Sequence, residues 1–115
     1  MFEFCLEKVA PLTPEEIKTS GERHVRSDLT SKGYLCVRNK RSRVPTGIEA
    51  IMGTEVALVH VMAAAYPNLP ARLSAEESSR IRKRAARMGW EAWLAHVQID
   101  DAGKLLEPVV YTRLI

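Results

Sequence analysis

Cysteine is scarce in this chain, and its scarcity argues against protein classes that depend on disulfides or on cysteine-bound metals. Only Cys5 and Cys36 are present, and they do not form a CxxC pair. Two distant cysteines predict neither a disulfide framework nor a cysteine-ligated zinc site, so we expect a reducing cytoplasmic environment. The sequence also has no apolar run of about 18 residues, which excludes a predicted transmembrane helix. The opening MFEFCLEKVAP is too acidic and too short for the signal peptide of a secreted protein.

Several motifs of common enzyme classes are missing as well. No glycine-rich loop of the kind that cradles nucleotide phosphates occurs, and no GxSxG nucleophile elbow is present. The histidines His24, His60 and His96 are 36 residues apart, which matches no zinc motif. At 115 residues the chain is long enough to bury one core, so we expect a single domain over residues 1–115.

What the sequence does have is concentrated positive charge. The formal net charge is +3 and the sequence pI is about 9.1, which is weak evidence when taken alone. The basic residues, however, fall mainly into two segments that contain no acidic residue, between positions 38 and 43 and between positions 80 and 87. Each neutralised phosphate of a polyanion releases a counterion, so two such segments favour nucleic-acid binding over a merely solvated surface. The predicted phosphate contacts are Arg38, Lys40, Arg41, Arg43, Arg80, Lys83, Arg84 and Arg87, with Arg23 and Arg26 on the first predicted helix as additions.

Two capping boxes mark the starts of two helices. Thr13 with Glu16, and Ser74 with Glu77, have the spacing in which the two residues bond reciprocally to each other's backbone N–H groups. Gly33 and Gly89 follow the helical patterns as expected stops. In the first helix Ile17, Gly21, Val25 and Leu29 predict the buried stripe, and in the second the stripe is Ser78, Ile81, Ala85 and Met88.

The remaining periodicity is that of strands. YLCVR is a short strand, GIEAIMGTEVALVHVMAAA is a hairpin that turns at Gly53-Thr54, and EAWLAHVQI and PVVYTRLI are two further strands. Residues 1–12, which include FEF, predict an N-terminal strand or arm. The order α-β-β-β-α-β-β predicts an α/β fold with a mixed sheet of four to five strands flanked by helices.

The hairpin register raises the main functional question. Counting outward from the turn pairs Glu49 with Leu58, and strand alternation then places Glu49, Leu58, His60 and Met62 on one face. A histidine diagonal to a carboxylate is unusual in a strand that is otherwise apolar.

This order and these segments resemble the PD-(D/E)XK nuclease superfamily, most nearly the restriction-endonuclease-like and Holliday junction resolvase-like domains. SGERHVRSDLTSKGYLCVRN is similar to the helix and strand that carry the family's conserved glutamate, with Glu22 at that position. GIEAI and HVM correspond to the two strands that carry the family's Asp, Glu or Gln, and Lys. The resemblance implies a restriction-endonuclease-like core and vestigial catalytic positions at Glu22, Glu49, His60 and Met62.

The residues at these positions depart from the family pattern. In the family, oxygen ligands hold magnesium and a lysine supports the attacking water. Glu49 keeps a carboxylate where the family has aspartate, but His60 offers nitrogen, which suits zinc or manganese better than magnesium. Met62 replaces the lysine, and a thioether can neither carry charge nor donate a proton. The resemblance therefore implies a nuclease fold whose catalytic centre is degenerate.

Three interpretations stay open at this stage. The first is degeneration, with His60 neutral and hydrogen-bonded in the former site. The second is a changed metal site formed by Glu22, Glu49 and His60, with Lys83 or Arg80 supplying the missing positive charge. The third is that His60 is a core histidine of an unrelated α/β domain.

The function that we expect is nucleic-acid binding without efficient hydrolysis. No cofactor is expected unless the protein is active, in which case magnesium or manganese would be required. DNA is the expected partner, and the resemblance implies a homodimer. The alternatives are a metal-dependent endodeoxyribonuclease with altered metal preference, and a protein-interaction module, such as an inhibitor or a subunit, that binds an acidic protein.

Overall fold

The computed structural model describes residues 12–38 and 47–114, which form two helices and five strands. In chain order the elements are α1 (Pro14–Ser31), β1 (Leu35–Arg38), β2 (Gly47–Met52), β3 (Glu55–Ala65), α2 (Ala75–Met88), β4 (Glu91–Ile99) and β5 (Val110–Leu114). The predicted order α-β-β-β-α-β-β is confirmed. The predicted N-terminal strand and the basic loop containing Lys40, Arg41 and Arg43 lie outside the described residues.

The five strands form one sheet in the order β1-β2-β3-β4-β5. Neighbouring strands are antiparallel except β3 and β4, which are parallel and are joined through α2. A parallel pair requires such a long crossover, and the helix within it then covers part of one sheet face. The central strand is β3, whose two apolar faces are both used in packing.

The hairpin between β2 and β3 has the predicted register. Met52 pairs with Glu55, Ile51 with Val56 and Glu49 with Leu58. Gly53 adopts a φ of +62°, and no non-glycine residue among those described has a positive φ, which is the pattern of a type II′ turn. The turn sequence alone was therefore enough to fix which side chains share a face.

Helix α1 packs against one sheet face and forms the larger core. Its capping box is present, since Thr13 Oγ1 accepts from the Glu16 N–H and Glu16 accepts from the Thr13 N–H at 2.8 Å. Val25 and Leu29 are buried against side chains of β2, β3 and β4, among them Val59. The helix runs close to β3 at Gly21, where a Cβ atom would lie 2.5 Å from the Ala63 Cβ.

Helix α2 covers only a small area of the opposite face. Ala85 packs with Leu58 and Ala92 in a second, smaller cluster. The prediction that Met88 belongs to the buried stripe is wrong, because its side chain is 55% exposed. Gly89 takes the left-handed conformation (φ +75°) and turns the chain back, so that Trp90 packs against this cluster in place of Met88.

Neither helix among the described residues has the length and apolar character needed to cross a membrane.

Candidate functional site

The predicted motif positions on the strands share one face of the sheet. Glu49 lies opposite Leu58 and Gly47 lies opposite His60, so Glu49 is the diagonal neighbour of His60. Leu58 packs with Ala85, which identifies this as the α2 face. Met62 follows two residues beyond His60 on the same face. The juxtaposition predicted from the hairpin register is thus present in the fold.

Glu22 lies on the other side of the sheet, on α1. It comes one residue after Gly21, which faces Val61 and Ala63 on the α1 face of the sheet. The Glu22 side chain is half-buried, and its Oε2 atom is inaccessible to solvent. Within residues 12–38 and 47–114, no three His, Cys, Asp or Glu side chains form a group that could hold a metal ion. The metal set of Glu22, Glu49 and His60 stays a prediction.

A groove beside His60 connects the two sides. It has a volume of about 400 Å³ and opens between the first turns of α1 and the second half of β3. We call it the His60 groove; it is lined by Pro14, Ile17, Lys18, His60, Met62, Asn68 and Ala71 together with residues 61 and 63–65. Strand β2 begins opposite His60, so β3 beyond that residue has a neighbour only on its β4 side within the described residues. The groove lies at this open edge.

Burial and two nearby charges set the protonation of His60. Burial lowers the pKa of the imidazole below its usual value of 6.5, because the charged form loses hydration. The Glu77 carboxylate raises this pKa and the Lys18 ammonium lowers it, with a net lowering. His60 is therefore neutral at pH 7. Its folded pKa lies below the unfolded one, so its contribution to stability is lost as the pH falls below about 6.5.

This arrangement predicts that two substitutions shift the pKa of His60 in opposite directions. Replacing Lys18 by Met removes a repelling charge and should raise the His60 pKa, whereas Glu77→Gln removes an attracting charge and should lower it. Glutamine also serves in a capping box, so the start of α2 is preserved. NMR titration of the His60 Cε1–H signal measures both pKa shifts. A His60 pKa that is unchanged in both variants would contradict the geometry.

Lys18 was not predicted from the sequence as a site residue. Lys83 and Arg80 were the candidates for a replacement cation, yet the positive charge that acts on His60 comes from Lys18. One signal in the sequence could have indicated it, since Lys18 precedes Glu22 by four residues and therefore shares its side of α1.

The other two histidines have different settings. His24 Nε2 donates to the Gly103 carbonyl oxygen at 2.8 Å, so His24 links α1 to the turn after β4. His96 and Trp93 are three residues apart on β4 and therefore lie on opposite faces of the sheet. The parallel register places it beside Met62, which makes it a diagonal neighbour of His60 that the sequence did not reveal.

The basic residues of α2 form a continuous stripe. Positions 80, 83, 84 and 87 follow the spacing that aligns side chains along one side of a helix. Three of these side chains are exposed and Arg84 is half-buried. We call this set the basic stripe; it consists of Arg80, Lys83, Arg84 and Arg87.

The remaining predicted contacts are only partly described. Arg23 and Arg26 are exposed on α1, and Arg23 Nη2 donates to Ser20 Oγ at 3.4 Å. Arg38 is the last residue of β1, and Lys40, Arg41 and Arg43 lie outside the described residues.

No protein-family model and no curated protein sequence matches this chain. Among solved structures it is similar to the Holliday junction resolvase Hjc of the archaeal hyperthermophile Archaeoglobus fulgidus. The TM-score is 0.64 at 22% identity, over 84% of this chain and 72% of the resolvase chain. At this identity the similarity shows the fold. The chain thus has a restriction-endonuclease-like α/β fold, and the fold implied by the PD-(D/E)XK resemblance is confirmed.

Proposed function

We propose that the protein binds DNA through its basic surfaces and hydrolyses it inefficiently or not at all by the magnesium route. The observation that carries the proposal is the basic stripe on α2. The fold is resolvase-like, and its motif positions are occupied by Glu49, His60 and Met62. Lysine and arginine contacts to phosphates position a duplex without reading its sequence. Binding should therefore depend on DNA shape and strongly on salt concentration.

The chemistry at the motif positions supports the second half of this proposal. Magnesium takes oxygen ligands, and His60 provides only nitrogen. Met62 supplies no charge for a phosphorane-like transition state. Lys18 brings one positive charge to the His60 groove, where it can contact a phosphate group of bound DNA.

The basic stripe gives the direct test of DNA binding. The double variant Lys83→Ala with Arg87→Ala removes two exposed charges four residues apart. If both contact phosphates, the slope of log K against log salt should fall by about 2, since each contact contributes about 0.9. Affinity at low salt should drop at least about tenfold. Fluorescence anisotropy with branched and linear duplexes measures both quantities.

The matched control removes the same charge elsewhere. Arg72 and Lys104 are exposed and lie in connecting segments outside α2. The variant Arg72→Ala with Lys104→Ala should bind nearly as well as the parent. Equal losses in the two double variants would mean that net charge alone attracts DNA. No DNA binding at low salt would favour the rival proposal, in which the basic surfaces bind an acidic protein.

An active enzyme with altered metal preference is the second candidate. The observation that favours it is the position of His60 diagonal to the Glu49 carboxylate on one face of the sheet. Burial also lowers the pKa of His60, and the neutral imidazole is the form that binds transition metals. Cleavage of branched DNA with manganese, abolished by Glu49→Ala, would establish this activity.

We also propose a homodimer that uses an exposed edge strand. Strand β5 is at one edge of the sheet, and Val110 on it is 57% exposed. An unpaired edge offers backbone groups to a second strand. Sedimentation velocity at high concentration tests this, and a monomer there would remove the proposal.

A further inference from the structure

Three half-buried aromatic rings lie together on the α1 face, on the opposite side of the sheet from Glu49, His60 and Met62. The Tyr34 and Trp93 ring centroids are 5.7 Å apart at an interplanar angle of 82°. The Trp93 and Tyr111 centroids are 6.2 Å apart at 66°. Edge-to-face pairs of this kind hold each ring in a fixed orientation. Trp93 is the central ring of the cluster.

These rings line an open groove of about 290 Å³. We call it the aromatic groove; its lining consists of Leu29, Lys32, Tyr34, Trp93, Tyr111 and Arg113. Its volume is near the lower end for small-ligand pockets, about 300 Å³, which suits one or two flat rings and excludes a folded partner. The three rings pack against the core, and they also border a groove that is open to solvent.

Hydrogen bonds keep the rings in place from outside the groove. Tyr111 Oη donates to Asp28 Oδ2 at 2.6 Å, and Trp93 Nε1 donates to Glu91 Oε1 at 3.0 Å. The polar atoms of both rings are thus already satisfied by carboxylates. What Trp93 offers a ligand is its apolar, electron-rich surface, and this favours a flat aromatic ligand over a polar one.

Two cations stand at the groove. Lys32 Nζ is 4.9 Å from the centroid of the Tyr111 ring and 3.0 Å from Asp28 Oδ2. Arg113 Nη2 is 2.8 Å from Glu91 Oε1. The Lys32 and Arg113 side chains are 54% and 64% exposed, so their ion pairs are weak and can be exchanged for a phosphate at little cost.

Arg113 is shared between the aromatic groove and a second groove on the α2 side of the sheet. Arg113 lies on the edge strand β5 and also lines a neighbouring groove with Arg82 and Trp90 of the α2 side. A chain of phosphates leaving the aromatic groove past Arg113 would therefore reach the helix that carries the basic stripe. Stacking rings next to a basic track form the usual surface for single-stranded nucleic acid.

We propose that the aromatic groove binds an unpaired base of single-stranded DNA against Trp93, with the adjoining phosphates on Lys32 and Arg113. The proposal rests on the proposed DNA-binding function and deepens it, because it assigns the unpaired strand to a surface distinct from the His60 groove. Stacking tolerates any base, so this site recognises an exposed strand and not a sequence.

Trp93 itself reports on this site. In a Trp90→Phe background it is the sole tryptophan of the chain. Titration with an oligothymidylate of about 12 nucleotides should quench its emission by roughly half or more at saturation. Binding of the same oligonucleotide, followed by anisotropy, with Trp93 emission unchanged would overturn the proposal. A wild-type titration with an oligonucleotide containing 2-aminopurine gives the same information from the base, whose emission should fall on stacking.

Charge variants separate this site from general attraction. Lys32→Ala and Arg113→Ala should each weaken oligothymidylate binding about fivefold to tenfold. Lys104→Ala removes the same charge from the turn after β4 and should leave binding nearly unchanged. Equal effects of all three variants would overturn the proposal. Binding of blunt duplex without any quenching of Trp93 by single strands would refute this site alone, whereas absence of all DNA binding would refute the proposed function too.

Discussion

Restoring the family residues at the three strand positions is expected to create magnesium-dependent cleavage. The triple variant Glu49→Asp, His60→Glu and Met62→Lys places two carboxylates and an ammonium on the α2 face, where the hairpin register already brings these positions together. Oxygen ligands then replace the imidazole nitrogen, and a positive charge faces the developing phosphorane. We expect cleavage of branched DNA at least about 100-fold faster than with the parent, comparable to the effect of one transition-state contact.

The controls for this variant separate its parts. The double variant that retains Met62 isolates the contribution of the lysine, and omission of magnesium should abolish the gain. His60 is half-buried, so a carboxylate there loses hydration and the melting temperature should fall. A folded triple variant that binds DNA but cleaves no faster would mean that this fold does not support the reaction geometry implied by the resemblance.

The second large effect concerns the contact between α1 and β3. A Cβ on Gly21 would lie 2.5 Å from the Ala63 Cβ, closer than nonbonded carbon atoms approach each other. Alanine favours a helix over glycine by about 1 kcal/mol, yet Gly21→Ala should lower the free energy of unfolding by about 1–3 kcal/mol, because the helix must move off the sheet. Urea denaturation measures this change.

A compensating substitution shows whether the cause is the close approach. Ala63→Gly removes the opposing methyl group, so the double variant should recover most of the loss caused by Gly21→Ala. The interaction free energy of the cycle should then be stabilising and above about 0.5 kcal/mol. Simple additivity of the two substitutions would place the origin of the destabilisation elsewhere. Because α1 carries both Lys18 and Glu22, displacing it should also change the His60 groove.

The elements themselves were predictable because their signals are local. Thr13 with Glu16 and Ser74 with Glu77 begin the helices through bonds within one turn. Gly53 determined the hairpin turn, and strand alternation then placed Glu49, His60 and Met62 on one face. These features depend only on neighbours along the chain, so a single sequence was sufficient to predict them.

Features that depend on how distant segments pack together could not be predicted from the sequence. The proximity of Lys18 to His60 follows from the path of α1 across the sheet, and that of His96 to Met62 follows from the parallel register of β4. The aromatic groove joins residues from α1, β4 and β5. Met88 matched the helical period but is exposed, because Gly89 returns Trp90 to the site that it was expected to fill.

The sequence by itself thus determined the order of the elements, their ends and the shared face of the motif positions, since short-range hydrogen bonds and alternation govern all three. Only the tertiary structure decided which charge acts on His60 and which rings meet beside Lys32 and Arg113. Those contacts join segments up to about 80 residues apart, as Tyr111 and Asp28 do. Packing of the β3–α2–β4 crossover and of α1 against the sheet brings such segments together, and no local sequence pattern predicts this packing.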